Sequence, residues 1–555
     1  MMTTTHKHSR FSPGLGGPAA ALRMAALGLC TLAVAACDDG EGSPPTGMSV
    51  ALYSAPNTAD PFQGVSFIRL LVTGDGLDAP IEQLVPYERG GGADLDGIDF
   101  TGPGQTRQLT IEGWAANSAG QPVNLISRGR SRPAAIPEGG SGVMFDVLMA
   151  RVNSFVPLVS ADTLAEQRMV ESRVGLAATQ NAVGEIVVSG GGTVSTAGSM
   201  WWAGGFDRVT SGVEAIGLDS HEVGQRSSML EARAWHTATA VGSGQVIMAG
   251  GYGATGLPLN SVELYNPPGV VGGAPLPISN PLAVPRAAHS ATLIDPTQRL
   301  ILFVGGDAQG TWELWDPING TRGAQPLPDA KSRRHHAAET FFLPGRTEPA
   351  VLIAGGEDNS GVHATSMLFD SVARTMVPVA EVMPAGGRTQ LTATYVPDRG
   401  FIYVVGGYTD TTRANATPGI DVFEVATQRF IPNNAGFRMR TARGGHGASL
   451  MPNNTVVITG GGGSEPVGTA ARPLGSIEVI HEFIDVVNAE LRIEVASSFN
   501  PETQNLAVPF MPTERLGHRS VALDNGMTLL VGGATMDPTS GDFVMVPSLS
   551  AYNPQ

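Results

Sequence analysis

Five times along the chain an arginine is followed three residues later by a histidine. A histidine can bind a metal or transfer a proton, so these pairs are the first candidates for chemistry. Each pair occupies the same place in a different copy of one pattern, so the five imidazoles cannot converge within about 2.0 to 2.1 Å of one ion. We therefore predict a structural role, in which each histidine hydrogen-bonds between neighbouring units together with its arginine. The pairs are Arg233 and His236, Arg286 and His289, Arg333 and His336, Arg443 and His446, and Arg515 and His518.

A second group of candidates stands directly after pairs of glycines. It contains two tyrosines and two carboxylates, Tyr252, Asp307, Glu357 and Tyr408. Carboxylates bind cations, and a tyrosine has an apolar ring that can stack on a sugar and a hydroxyl that can bond to it. Because the loops after the glycines are expected to lead to one rim, we predict these four as candidate binding residues, with solvated loop residues as the alternative. No catalytic residue, metal ligand or cofactor is predicted, and a calcium ion is left open.

The paired glycines end seven short apolar runs, such as QVIMAGG and EIVVSGG. Successive pairs are 60, 55, 50, 51, 54 and 72 residues apart, so one structural unit is repeated along the chain. The runs have strand length and are rich in branched residues, and glycine at their ends permits backbone conformations that a side chain would block. The pairs are Gly190 and Gly191, Gly250 and Gly251, Gly305 and Gly306, Gly355 and Gly356, Gly406 and Gly407, Gly460 and Gly461, and Gly532 and Gly533.

A later β-type stretch before a turn completes each unit, as in SVELYNPPG at 261–269 and TWELWDP at 311–317. The joint pattern of R-x-x-H, apolar run with GG, and ELY-x-P resembles the kelch repeat over residues 151–555. Two copies carry Leu176 and Leu391 in place of the histidine and keep the spacing. The resemblance implies a seven-bladed β-propeller, in which each repeat forms one four-stranded blade.

The last repeat stops one strand short, whereas residues 151–172 precede the first arginine without a blade of their own. We expect residues 151–172 to close the last blade, with 155–158 or their neighbours as its outer strand, because closure removes a free sheet edge. The galactose oxidase family also has a seven-bladed kelch propeller, with a copper site that needs a tyrosine cross-linked to a cysteine. The only cysteines are Cys30 and Cys37, so the resemblance extends to the fold and not to that site.

The N-terminal residues have the features of a signal peptide. Lys7, Arg10 and Arg23 precede an apolar stretch at 24–36, which is too short to span a membrane as a helix. The sequence VAAC at 34–37 resembles the bacterial lipobox, which implies that Cys37 is lipidated and anchors the mature chain. We expect a lipoprotein signal peptide at 1–36 and the lipidated cysteine with a flexible tether at 37–47; an ordinary cleaved signal peptide is the alternative.

Residues 48–150 have a different texture, with alternating apolar residues and no helical period. Strands are predicted at 48–53, 65–73, 106–115, 122–127 and 143–152, separated by turn-forming stretches. Spacings near ten residues favour a small β-sandwich of Ig-like or transthyretin-like type. This domain is expected to be a spacer, with an adhesive module as the alternative.

The formal net charge of −16, without a basic cluster, argues against nucleic acid and against attraction to anionic lipid. Membrane contact is therefore assigned to the lipid anchor alone. We predict an exported, membrane-anchored lipoprotein of the bacterial cell envelope, on its periplasmic face or at the cell surface. Its propeller would be a noncatalytic scaffold that binds an envelope protein or a polysaccharide; the alternative is a sugar-active enzyme, of epimerase or lyase type, that uses the rim carboxylates.

Overall fold

The computed structural model describes residues 22–24, 29–34, 48–88, 105–136, 144–196, 200–268, 275–297, 299–433, 436–467, 470–485, 490–497 and 508–554. Within these ranges the chain has no α-helix, and its helical turns are three short 3₁₀ segments, Trp201–Ala203, Gly242–Gly244 and Pro397–Arg399. The prediction of an all-β chain is thereby confirmed. None of the described helical segments is long and apolar enough to cross a membrane. Cys37 and the tether lie outside the described residues.

The chain divides into two compact units, residues 1–151 and residues 152–555. The strands of the first unit are β1 (Leu22–Met24), β2 (Leu29–Val34), β3 (Met48–Tyr53), β4 (Phe67–Gly74), β5 (Ile81–Pro86), β6 (Thr106–Ala116), β7 (Pro122–Arg130), β8 (Ala134–Ala135), β9 (Met144–Leu148) and β10 (Ala150–Arg151).

Two sheets build the first unit. One has the order β1-β2-β3-β9, with β3 and β9 parallel, and the other has the order β10-β7-β6-β4-β5, with β8 also paired to β6. Alternate residues of β4, Ile68, Leu70 and Val72, pack into one core with Val50 of β3 and Val147 of β9. Because alternate side chains of a strand point to the same face, the apolar face of each sheet packs against the apolar face of the other sheet. Strands β1 and β2 lie within the residues that the sequence assigns to a signal peptide.

The second unit begins with β11 (Ser154–Pro157), and its repeats follow in chain order. Repeat 1 contains β12 (Ala177–Gln180), β13 (Glu185–Ser189), β14 (Gly192–Thr193), β15 (Arg208–Val209), β16 (Val213–Gly217) and β17 (Val223–Arg226); repeat 2 contains β18 (Thr237–Val241), β19 (Gln245–Ala249), β20 (Val262–Tyr265) and β21 (Leu276–Ile278); repeat 3 contains β22 (Ser290–Asp295), β23 (Leu300–Val304), β24 (Thr311–Asp316), β25 (Gly320–Thr321) and β26 (Gln325–Pro326).

The later repeats have the same plan. Repeat 4 contains β27 (Ala337–Phe342), β28 (Pro349–Ala354), β29 (Glu357–Asp358), β30 (Gly361–Val362), β31 (Ser366–Asp370) and β32 (Thr375–Pro378); repeat 5 contains β33 (Thr392–Val396), β34 (Phe401–Val405), β35 (Ile420–Glu424) and β36 (Arg429–Phe430); repeat 6 contains β37 (Gly447–Leu450), β38 (Val456–Thr459), β39 (Gly462–Val467), β40 (Ala470–Pro473), β41 (Ile477–Asp485) and β42 (Glu490–Ser497); repeat 7 contains β43 (Arg519–Ala522), β44 (Thr528–Val531), β45 (Ala534–Met536), β46 (Phe543–Met545) and β47 (Ser550–Asn553).

Each repeat forms one antiparallel sheet, called here sheet 1 to sheet 7 after its repeat. Sheet 1, for example, has the strand order β12-β13-β16-β17, so neighbouring strands follow one another along the chain apart from the small β14–β15 hairpin. Sheet 7 has the order β43-β44-β47-β11, because Ser154–Pro157 pairs with Ser550–Asn553. A strand from before the first repeat is therefore the outer strand of the last sheet.

The apolar runs before the glycine pairs are the second strands of the sheets, and they are buried on both faces. In β23, Ile301 and Phe303 pack with residues of sheet 2, whereas Leu302 and Val304 pack with residues of sheet 4. Successive side chains of a strand point to opposite faces, so a continuous apolar run serves two neighbours. The first strands of consecutive sheets also lie side by side from β12 to β43, and β43 lies beside β12.

Candidate functional site

The repeat arginine is buried and braces its own sheet. Arg233 Nη1 donates a hydrogen bond to Gly250 O at 2.7 Å, and its Nη2 lies 2.7 Å from Glu263 Oε1 in the third strand. The same carboxylate accepts hydrogen bonds from the backbone N–H groups of Leu230 and Glu231, in the segment before the arginine. One ion pair thus ties the approach to the first strand, the end of the second strand and the third strand together, with both charges compensated.

The carboxylate has the same register in five sheets. The corresponding pairs are Arg173 and Glu214 at 2.8 Å, Arg286 and Glu313 at 2.6 Å, Arg388 and Asp421 at 2.5 Å, and Arg443 and Glu478 at 2.9 Å. This acidic position lies inside the ELY-type stretch of the sequence, but the sequence alone did not identify it as the partner of the arginine.

Sheets 4 and 7 have Met367 and Ser550 in place of the carboxylate. Arg333 instead pairs with Asp329, which lies four residues before it in the segment that leads to the first strand of sheet 4. Arg515 bonds only to neutral oxygens among the described residues, with Gly532 O at 3.3 Å and the backbone and hydroxyl oxygens of Ser548 at 3.2 Å. Burial without a nearby carboxylate lowers the pKa of Arg515 to about 10.

Each repeat histidine bonds between sheets through its Nε2 atom, whose partner is a hydroxyl group and not the guanidinium of the repeat arginine. His236 Nε2, for example, lies 2.8 Å from Ser189 Oγ of sheet 1. The arginine of the repeat acts through its charge: burial, and after it the adjacent guanidinium, lowers the pKa of His336 and of His446 to about 3. These imidazoles are therefore neutral near pH 7. The other bonds join His289 to Thr237 at 3.2 Å, His336 to Ser290 at 2.8 Å, His446 to Thr392 at 2.9 Å and His518 to Thr459 at 2.8 Å.

The hydroxyl partner explains why two repeats carry leucine. The preceding sheet offers a hydroxyl either as the first residue of its first strand or as the last residue of its second strand. Before Leu391 these positions hold Ala337 and Ala354, and before Leu176 they hold Arg519 and Val531, so neither sheet offers a hydroxyl. A buried imidazole without a partner would cost about 1–3 kcal/mol, whereas leucine fills the same place without a polar group.

The first glycine of each pair sits against the R-x-x-H segment of the next sheet. Gly190 has a φ of 54°, and a Cβ there would lie 2.2 Å from Arg233 O and 2.6 Å from His236 Cε1. The last repeat meets the first in the same way, since a Cβ on Gly532 would lie 2.4 Å from Leu176 Cδ2. Close approach and backbone conformation therefore both require glycine.

The four candidate rim residues are buried. Asp307 is 7% exposed, and its carboxylate accepts hydrogen bonds from Arg286 Nη1 at 3.2 Å and from the backbone N–H of Thr311 at 3.1 Å. Glu357 is fully buried and lies 2.5 Å from Arg413 Nη1. The structure thus places both carboxylates in ion pairs with arginine and not on an open rim.

The two tyrosines also lie inside. The hydroxyl of Tyr408 is 3.2 Å from the carbonyl oxygens of both Gly444 and Gly462, and burial raises its pKa. Tyr252 packs against Gly204, and burial likewise raises its pKa. Within the described ranges, no group of three His, Cys, Asp or Glu side chains is arranged to hold a metal ion.

A layer of loops covers these residues. The loops that join the second and third strands of the sheets are called here the loop face. In sheet 1 this loop holds Trp201 and Trp202; Trp201 stacks on Trp235 of repeat 2, with ring centroids 5.5 Å apart and planes 9° apart. Arg413, from the loop of sheet 5, lies 5.2 Å from the Trp202 ring centroid while it pairs with Glu357 of sheet 4. Trp202 O is also 2.6 Å from His335 Nε2.

Other contacts connect the remaining loops. Phe543 N of sheet 7 donates to Ser195 O of sheet 1 at 3.2 Å, and Ser464 Oγ of sheet 6 donates to Ala416 O of sheet 5 at 3.1 Å. Among the described residues of the loop face, three large apolar side chains are exposed: Met200 is 54% exposed, Leu257 67% and Val544 48%. Sequence reasoning missed these residues; the adjacent tryptophans after a glycine pair were the one signal that could have indicated a covering loop.

No protein-family model matches this chain, and no curated protein shows significant similarity to it.

Proposed function

We propose that residues 152–555 form a seven-bladed β-propeller of the kelch type. Three observations support this arrangement: the first strands follow one another side by side from β12 to β43, with β43 beside β12; β11 pairs with β47; and Gly532 of the last repeat packs on Leu176 of the first. A ring of this kind has no free first or last sheet, which protects strand edges from further pairing. Since the repeat histidines and glycines act between neighbours, every added sheet stabilises the next.

The propeller is a noncatalytic scaffold that binds its partner through the loop face. The observation that carries this function is the separation of two sets of side chains. The repeat arginines and histidines bond within the frame, whereas the loops differ in sequence and length and expose Met200, Leu257 and Val544. Variable loops on a constant frame are how such folds acquire specificity.

A protein of the cell envelope is the partner that these exposed side chains favour. Methionine is enriched in the buried centre of protein interfaces, and exposed apolar groups on a connected surface gain most from a partner that covers them. A polysaccharide remains the second class of partner. The alternative of a sugar-active enzyme gains no support from Asp307 and Glu357, because arginines already hold both carboxylates.

Cys37 anchors the protein to the envelope membrane through a lipid, and the first unit acts as a spacer between the anchor and the second unit. The motif around Cys37 supports the anchor, and one residue with several acyl chains is sufficient for stable attachment. The acidic net charge supports the exclusion of nucleic acid as a partner.

Site-specific photo-crosslinking in cells tests this function. A photoreactive amino acid is placed at Leu257 or Val544 on the loop face and, as a matched control, at Ile318, which is 82% exposed in the turn between the third and fourth strands of sheet 3. We expect one discrete adduct from the two loop positions that Met200→Asp abolishes, and none from Ile318. A glycan array probed in parallel identifies a polysaccharide partner. Adducts of equal yield at all three positions, or none together with a blank array, would overturn the proposal.

A further inference from the structure

Arg519 is the one charged residue at its position in the repeats. The position directly follows the repeat histidine or leucine and opens the first strand of each sheet. Its equivalents are all small, Ala177, Thr237, Ser290, Ala337, Thr392 and Gly447. A long cationic side chain at the start of the first strand therefore differs from the small residues of the other repeats and is not required by the repeat itself.

The guanidinium of Arg519 has few protein partners. Its Nε donates to Leu176 O at 3.1 Å, and its Cζ lies 5.8 Å from the ring centroid of Trp235. The ring of Trp235 is also stacked on the ring of Trp201. Among the described residues no carboxylate forms an ion pair with Arg519, and its two Nη groups have no acceptor.

The repeat arginines, which are buried, behave differently. Arg233 and Arg443 have a carboxylate beside Nη2, and Arg515 fills its N–H groups with neutral oxygens. Burial lowers the pKa of Arg519, and the same cation helps to keep His236 and His518 neutral. Arg519 itself is only partly buried, so an anion or water from solvent can reach its unused donors.

The surrounding backbone has a break at this place. In the later repeats, the residue directly before the histidine or leucine donates its N–H to the carbonyl oxygen of the equivalent residue in the preceding repeat. Examples are Trp235 to Gly175 at 2.7 Å and Gly517 to Gly445 at 3.1 Å. Six such bonds connect Gly175 to Gly517, and no bond joins Gly175 N to Gly517 O. Arg519 thus lies at the seam where the last repeat meets the first.

We propose that this seam binds a small oxyanion, held by the two Nη groups of Arg519. A guanidinium offers parallel N–H donors that fit two adjacent oxygens, which favours a carboxylate or an inorganic oxyanion over a single-atom ion. Trp235 fixes the plane of the guanidinium through its ring face, and Leu176 O fixes its Nε, so the donors are oriented before the anion arrives. The anion supplies the charge that Glu214, Glu263 and their counterparts supply to the repeat arginines.

Isothermal titration of the full chain tests the site, with sodium formate, nitrate and phosphate as probes in a low-salt buffer. We expect one saturable site per chain with at least one probe, no saturable heat with Arg519→Gln, and affinity weakened roughly tenfold with Arg519→Lys, which keeps the charge but loses the paired donors. Arg208→Gln, at an arginine that is 65% exposed, is the matched control and should bind as the unmodified chain does. Formate binding identifies a carboxylate site, and binding of phosphate alone an inorganic one.

Two results would overturn the proposal: no saturable heat for any probe with the unmodified chain, or equal affinity with Arg519→Gln. Thermal unfolding without added anion checks that the variants fold. Removal of a cation that has no ion-pair partner should leave the melting temperature of Arg519→Gln equal or higher, and should abolish its rise with the bound probe.

Discussion

The bond between Ser189 and His236 provides a direct test of how the repeats are joined. Both side chains are buried, Ser189 fully and His236 at 3% exposure, and 2.8 Å separates Oγ from Nε2. Ser189→Ala leaves a buried imidazole without a partner, and His236→Leu leaves a buried hydroxyl without one. Each single change is expected to lower the free energy of unfolding by about 1–3 kcal/mol.

The double variant is expected to be much more stable than the sum of the two single variants predicts. It reproduces a combination already present in the chain, because Ala337 and Ala354 precede Leu391 in the same positions. Since replacement of both polar partners by apolar groups of similar shape is nearly neutral, the interaction energy between the two sites should approach the sum of the two single costs, about 2–6 kcal/mol.

Urea unfolding followed by tryptophan fluorescence measures this interaction energy, because Trp235 directly precedes His236 in the chain. A combination of Ser189→Ala with His518→Leu, whose partner is Thr459, is the control and should be additive. Additive effects of Ser189→Ala and His236→Leu would refute the reasoning, since the hydroxyl would then not determine whether histidine or leucine occupies the position.

Other consequences concern charge, glycine and the anchor. The free energy of unfolding should fall as the pH drops below about 6.5, because the repeat histidines are protonated in the unfolded state but stay neutral when buried in the folded state. Each histidine contributes up to about 1.4 kcal/mol per pH unit, and melting curves between pH 7.5 and 5 would measure the slope. Gly190→Ala should cost more than about 3 kcal/mol, whereas Gly345→Ala, with positive φ but nothing within 4 Å of a Cβ, should cost about 1–2 kcal/mol; equal shifts in melting temperature would contradict the packing argument. Ser550→Glu should raise the melting temperature by pairing with Arg515, in the register that Glu214 has in sheet 1. Cys37→Ala should abolish fatty-acid labelling and membrane retention of the exported chain; unchanged labelling would rule out the lipid anchor at this residue.

The sequence predicted those parts of the fold that repeat. The strand before Gly250 and the spacing of Arg233 and His236 recur along the chain, so agreement among copies indicates their structural role without any contact being known. The partner of Arg233 could not be identified in this way, because Glu263 lies thirty residues later and its register depends on how the third strand pairs with the second.

The position of the rim candidates depended on a tertiary contact that the repeat does not contain. A residue after a glycine pair is on a rim only if nothing covers it, and Trp202 and Arg413 belong to loop sequences that do not recur in the other repeats. Arg413 contacts Trp202 and pairs with the buried Glu357, although Trp202 and Arg413 are more than two hundred positions apart in the chain. The sequence around Glu357 does not indicate this contact, so the burial of Glu357 could be determined only from the structure.

The same contact bears on the binding that we propose for the loop face. Arg413 contacts Trp202 of sheet 1 and pairs with Glu357 of sheet 4, so a cation–π contact and an ion pair connect these loops across the sheets. A surface that is already ordered loses less conformational entropy on association, and its exposed apolar side chains can contribute more of their burial to affinity. The repeat and the loops therefore have different roles. The hydroxyl-to-histidine bonds connect neighbouring sheets, and the ion pair between Arg413 and Glu357 connects the loops that form the loop face.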